Sequence, residues 1–232
     1  MRKKCKNAFT LAEVLIVLAV IGVVAALTVP AVITKVSKDQ YVVGLKKAYN
    51  TLKSVEREAI QEHGPMENWD WPAARTPADT TKVFNTYFKP HFDILKDCGQ
   101  STDDGCFMNE YEFWNGSGGK IISINTSTYA RIITSDGISY AYAYDNRYKG
   151  YRGEFLVDVN SKKPPNKAGR DLFSFTIFGN DLGIKPSGSY KLSGDLNDNL
   201  NPMETSYTET YCMSSSPLWC TAKVLAEGAM NY

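Results

Sequence analysis

Residues 9–33 read FTLAEVLIVLAVIGVVAALTVPAVI, and the rest of the chain is organised around this stretch. About 25 helical residues at 1.5 Å each reach roughly 38 Å, enough to cross a hydrocarbon core of ~30 Å. Glu13 is the one residue in it that carries a charge. A globular core helix shows a polar face every 3.6 residues, and from Val14 to Leu27 there is none. The segment is therefore expected to lie in a membrane.

A cleaved secretory signal has a basic start, an apolar run of about 7–15 residues and a small-residue cut site after the run. Ala26 or Ala31 would serve as such a site, but this run is too long. A plain signal anchor fits the length and leaves Glu13 and the abrupt Asn7-Ala8-Phe9 junction unexplained. MRKKCKNA followed by FTLAEVL resembles the start of a type IV pilin or type II secretion pseudopilin precursor. Phe9 stands at that family's first mature position, Thr10 and Leu11 follow as usual, and Glu13 stands at its fifth. Gly22 and Pro30 fall where the family has helix-loosening residues. One departure is Ala8, where the family usually has Gly; alanine is small enough for a peptidase pocket.

The resemblance implies a leader over residues 1–8, cut on the cytoplasmic side between Ala8 and Phe9 by a prepilin peptidase that also methylates the new terminus. It also implies other pilin or pseudopilin subunits, an inner-membrane assembly platform and membrane lipid as partners. Glu13, Gly22 and Pro30 then take part in assembly. Lys and Arg before a first membrane helix hold that end in the cytoplasm, so everything after Ile33 is expected to be exported.

Four of the 26 basic residues, Arg2, Lys3, Lys4 and Lys6, lie in the leader, which leaves 22 against 25 acidic, a mature charge of about −3. Such a balance argues against a domain held to nucleic acid by phosphate contacts. The length beyond the membrane segment suits one globular domain over residues 64–232. Cys5 goes with the leader, and the other four cysteines form two close pairs, Cys98 with Cys106 and Cys212 with Cys220. In an oxidising compartment equal short spacings favour two local disulfides. Zinc is disfavoured because neither pair has the gap of a zinc knuckle and His63 and His91 are the only histidines.

Past Pro30 the residues Tyr41, Leu45, Ala48, Leu52, Val55 and Ala59 recur at spacings of four and three, one stripe of an amphipathic helix over 34–63 that Gly64-Pro65 stops. Pro30 removes one backbone hydrogen bond from this rod. It reads either as a tolerated kink or, as the resemblance implies, as a place where the helix stretches on assembly. From Pro65 to about Lys120 the pattern is irregular, with a short helix over Thr80–Phe88 capped by Asp79 or Thr80. Strands are expected at 121–124, 129–134, 138–144, 154–159 and 172–178, with a hairpin turn at Ser135-Asp136-Gly137. Tyr140, Tyr142 and Tyr144 share one face, read as packed on a helix in preference to a binding surface. The tail reads as a short helix over 221–227. The fold class is α+β, a long N-terminal helix on an antiparallel sheet of four or five strands.

Residues 157–175, VDVNSKKPPNKAGRDLFSF, are similar to a loop of many bacterial pseudopilin-like globular domains. Asp158, Asn160, Asn166 and Asp171 are candidate hard oxygen ligands for calcium. The spacing is not that of an EF-hand, and the same residue types are what a tight turn prefers, which is the stronger reading. No catalytic constellation is found, so the chain is not expected to be an enzyme. It reads as a structural subunit of a pseudopilus or pilus. The alternative is a membrane-anchored exported binding module or enzyme with an uncleaved anchor.

Overall fold

In the computed structural model the described residues are 10–101, 105–116, 120–148, 150–190, 210–214 and 216–232. The chain forms two compact units, one up to Asp39 and one from Gln40 onward. Helix α1 spans Leu11–His63 with Pro30 inside it. In the first unit its apolar side chains are exposed, from Leu11, Leu15 and Ile16 through Leu27 to Ile33, and the helix is long and apolar enough to cross a membrane. Proline cannot donate its own i→i−4 bond. Close by, Thr28 Oγ1 donates to the Val24 carbonyl at 2.9 Å and Thr34 Oγ1 to the Pro30 carbonyl at 2.9 Å.

In the second unit the stripe read from the sequence is the buried face of α1. Leu45, Ala48, Leu52 and Ala59 are fully buried and Val42 and Val55 nearly so. These residues pack with the aromatic face of the sheet in one core, and Tyr41 packs against that core while partly exposed. Gly44 sits where α1 passes closest to a loop: a Cβ there would lie 3.0 Å from Val159 Cβ.

After α1 the chain makes a short 3₁₀ turn at Met66–Asn68 and then α2, Pro77–Val83. The expected helix is present but starts earlier, because Thr76 is its cap. Asp79 N–H donates to Thr76 Oγ1 at 3.2 Å and Thr76 N–H to Asp79 Oδ2 at 2.9 Å, a reciprocal capping box with Pro77 at the first helical position. Asp79 is thus the third helical residue and not the cap. The helix widens into one π-turn over Phe84–Phe88 and tightens into a 3₁₀ turn over Lys89–His91. That change of pitch puts Phe84 and Phe88 against Tyr142 and Phe155.

The described strands number nine, more than the four or five expected. They are β1 Ile94–Gly99, β2 Tyr111–Phe113, β3 Lys120–Ile122, β4 Ala130–Thr134, β5 Ser139–Ala143, β6 Tyr151–Asp158, β7 Lys167–Ala168, β8 Leu172–Phe178 and β9 Ile184–Pro186. They form one sheet in the order β1-β4-β5-β6-β8-β7-β2-β3, with β9 beside β8. The centre is antiparallel, and β7 pairs in parallel with β2 and β8. Rows of side chains cross it, Ala130–Tyr142–Phe155–Phe175 and Ile132–Tyr140–Val157–Phe173. Both rows lie in the core shared with α1, and Tyr49 of α1 stacks on Phe175 with ring centres 5.6 Å apart. The tyrosine ladder is a packed face. At the start of β6 the register slips between Tyr151 and Glu154, where Gly153 takes φ 109°, a bulge only glycine tolerates.

The opposite side of the sheet is also buried. Phe107, Tyr111, Ile124, Ala141, Leu156, Ala168 and Leu172 form a second core with Cys98 and Cys106. Disulfides join Cys98 to Cys106 and Cys212 to Cys220, with Cα atoms 6.3 and 4.6 Å apart. The first braces the loop that covers this second core. The second ties residues 210–214 to α3, Cys220–Glu227, which ends at Gly228 in the left-handed conformation.

Candidate functional site

Ala8 and Phe9 lie outside the described residues. The first described residue, Thr10, makes a capping box with Glu13. Thr10 N–H and Oγ1 each donate to Glu13 Oε2 at 2.8 Å, and Glu13 N–H faces Thr10 Oγ1 at 3.3 Å. Thr10 is a partner of Glu13 that the sequence analysis did not name. The signal was present in the sequence as Thr-x-x-Glu opening an apolar helix. This box satisfies polar atoms at the helix entry but does not neutralise the carboxylate. Gly22 lies on an open face, where an added Cβ would meet nothing within 4 Å. Glu13, Gly22 and Pro30 are spread along the helix and are not brought together within one chain.

The candidate calcium residues are brought to one loop. Asp158 and Asp171 are fully buried. Tyr111 Oη donates to Asp158 Oδ2 at 2.5 Å and Asn160 N–H to Asp158 Oδ1 at 3.1 Å. Lys167 N–H and Asn166 N–H donate to the two oxygens of Asp171 at 2.6 and 2.7 Å. All four carboxylate oxygens thus already accept a donor from the chain. This is what the tight-turn reading requires, with Ser161 and Asn166 at positive φ completing the turns. Asn160 Oδ1 and Asn166 Oδ1 are buried without a donor, and they are the oxygens left for a cation.

Burial pushes the Asp171 carboxyl up to about 6, against the pull of the Lys167 and Asn166 amides. Burial, reinforced by the nearby Asp171 charge, raises Asp158 well above the usual carboxylate range. Burial raises Glu154 as well. A raised carboxyl means that the folded state keeps protons the unfolded chain releases, so the stability such a group contributes is greatest in acid and is lost as pH rises. For Asp171 the fall is expected between about pH 4 and 6 and is on the order of 3 kcal/mol. Thermal unfolding across that range measures it, and Asp171→Asn is expected to flatten the profile. Repeating the scan with calcium tests the ligand reading, because a bound cation favours the charged carboxylates and opposes the fall.

The prokaryotic N-terminal methylation motif matches residues 3–29. That motif is the hallmark of the precursors of type IV pilins and pseudopilins. It implies processing by a prepilin peptidase. Together with one apolar helix near the N-terminus it fits a membrane-anchored exported protein. No curated protein and no solved structure matches the chain.

Proposed function

We propose that this chain is a structural subunit of a type II secretion pseudopilus or a type IV pilus. It is inserted with its N-terminus in the cytoplasm, cut between Ala8 and Phe9, methylated on the Phe9 amine and polymerised through α1. The observation that carries this reading is a coincidence of position. The methylation motif covers residues 3–29, and the same stretch enters a helix whose apolar side chains are exposed in the single chain. An apolar surface of that extent needs lipid or sister helices to cover it. The similarity of residues 157–175 to pseudopilin-like domains favours the pseudopilus over the pilus. A catalytic role is not part of the reading.

Mass spectrometry of the protein from membranes and sheared filaments tests it. The expected terminus is N-methylated Phe9, and replacing Ala8 by a bulky residue such as leucine is expected to leave the leader in place while insertion persists. An intact Met1 on the wild-type protein, or a terminus near Leu27, would sink the proposal in favour of an anchored module.

A further inference from the structure

The two histidines of the chain lie 28 positions apart in sequence, and the fold brings them to one point. His63 is the last residue of α1 and His91 closes the 3₁₀ turn after α2. Glu62 lies between them: its Oε1 is 3.7 Å from His63 Nε2 and its Oε2 is 3.7 Å from His91 Nε2. One donor atom each of Glu62, His63 and His91 lies within 4.8 Å of the others. At 3.7 Å neither approach is a hydrogen bond. Both Nε2 atoms are buried and have no hydrogen-bond partner, and the His91 side chain is only 10% exposed. A buried ring nitrogen left unsatisfied is costly and calls for an explanation.

From these positions we infer a divalent transition-metal site held by His63 Nε2, His91 Nε2 and the Glu62 carboxylate, with zinc as the best-fitting ion. Zinc takes imidazole nitrogen and carboxylate oxygen at about 2.0–2.2 Å in a tetrahedron, which places its ligands roughly 3.4 Å apart. Each imidazole nitrogen lies 3.7 Å from one Glu62 oxygen, close to that spacing, and the whole set, within 4.8 Å, closes on an ion by small side-chain rotations. Imidazole donors select against calcium and magnesium, which prefer oxygen alone. A fourth position remains for water on the side of Glu62, whose side chain is 60% exposed.

The surroundings supply what such a site needs beyond its ligands. A metal-bound histidine usually donates its other ring N–H to a carboxylate, which fixes the tautomer and the ring plane. Glu58, one helical turn before Glu62, places Oε2 3.7 Å from His91 Nδ1, too far for a hydrogen bond as it stands and near enough for the side chain to close the gap once an ion holds the ring. Its Oε1 in turn accepts from Ser54 Oγ at 3.0 Å. The His63 ring is held edge-on between Trp69 and Tyr87, with ring centres 6.3 and 5.1 Å away. Two ordinary alternatives are weaker. A histidine at a helix C-terminus interacts with the helix dipole, which accounts for His63 and not for His91. Plain Glu–His ion pairs would leave both Nε2 atoms as they stand. A bound ion would pin the end of α1 to the turn that follows α2, and by binding only the folded chain it would stabilise it.

The test uses the full chain in detergent, without a polyhistidine tag, stripped with chelator and titrated with zinc against a chromophoric competitor. One zinc per chain is expected, with a rise in unfolding temperature, and cobalt should show visible ligand-field bands of a nitrogen-containing site. His91→Ala is expected to weaken zinc at least 100-fold. Glu58→Gln, at an exposed position, is expected to weaken it 10- to 100-fold while leaving the metal-free unfolding temperature unchanged. Because His91→Ala removes packing as well, Glu62→Gln provides a second ligand variant at a solvent-facing side chain. Absence of saturable zinc binding by the wild-type chain, or wild-type affinity in both His91→Ala and Glu62→Gln, would overturn the site.

Discussion

Replacing Glu13 by valine is expected to leave the protein inserted and cut before Phe9 and to abolish its incorporation into filaments. Glu13 is the one ionisable residue between Phe9 and Ile33, in a segment whose other side chains suit lipid. A carboxylate in an apolar layer raises the free energy of the monomer unless a positive charge meets it. Thr10 meets Glu13 with an N–H and a hydroxyl, which satisfies an oxygen and leaves the charge. The proposed cleavage before Phe9 would create a positive amine four residues from Glu13, and a low dielectric strengthens attraction between such charges. As the resemblance to pilins implies, Glu13 of an incoming subunit pairs with the Phe9 amine of the subunit already in place, and the pair sets their register.

The substitutions separate the capping box from the charge. Glu13→Gln keeps an acceptor for Thr10 and loses the charge, so it is expected to fail with Glu13→Val if charge pairing governs assembly. Glu13→Asp keeps the charge one methylene shorter and is expected to assemble in part. Shearing and immunoblotting in a strain with no wild-type copy reads the outcome. Normal incorporation of Glu13→Val rules the pairing out, and normal incorporation of Glu13→Gln alone assigns the role to the box.

The parts of the fold legible in the sequence were those whose hydrophobic period runs long enough to average out exceptions. The stripe from Tyr41 to Ala59 spans five turns and became the buried face of α1. Leu172–Phe178 was read to the residue because Phe173, Phe175 and Ile177 form an unbroken apolar face buried in the core with α1. The stretch from Pro65 to Lys120 was misread for a local reason. Strand β1 exposes three consecutive residues, Leu95, Lys96 and Asp97, and two register slips break its alternation. Strands β2, β3 and β7 are two or three residues long, too short to show any period. Ile124 was read as strand and instead lies in a loop, filling the second core. That second core was hidden because Cys98, Cys106, Phe107 and Tyr111, which cover Ala141, Leu156 and Leu172 of the sheet, come from a segment without pattern. The meeting of His63 and His91 was hidden for a related reason: it depends on the π-turn at Phe84–Phe88, and no local signal sets that pitch.

Arg131 follows from the same second core. Alternation along β4 puts Arg131 on the face away from α1, where a sheet covered on one side only would expose it to water. The second core covers that face, and Arg131 is fully buried. Its guanidinium is spent on oxygens of the covering loops. Nη1 donates to Asn125 Oδ1 at 2.8 Å and points to the Ile124 carbonyl at 3.4 Å. Nη2 donates to the Ser101 carbonyl, and Nε points to the Gly99 carbonyl at 3.5 Å. One side chain thus holds residues 99–101, next to the Cys98–Cys106 bridge, and residues 124–125 onto β4. Arg131→Met keeps the packing of the stem and removes every donor. Each carbonyl left buried without a donor costs about 1–3 kcal/mol, and relief from burying the charge offsets only part of this. The expected loss is about 3–5 kcal/mol, or roughly 6–20 °C in Tm for a domain of this size. Arg131→Lys is expected to fall between, because a single ammonium cannot reach oxygens arranged for a planar fork. Thermal unfolding of the full chain in detergent measures both. A loss below about 0.5 kcal/mol for Arg131→Met would mean that desolvating the guanidinium cancels its hydrogen bonds.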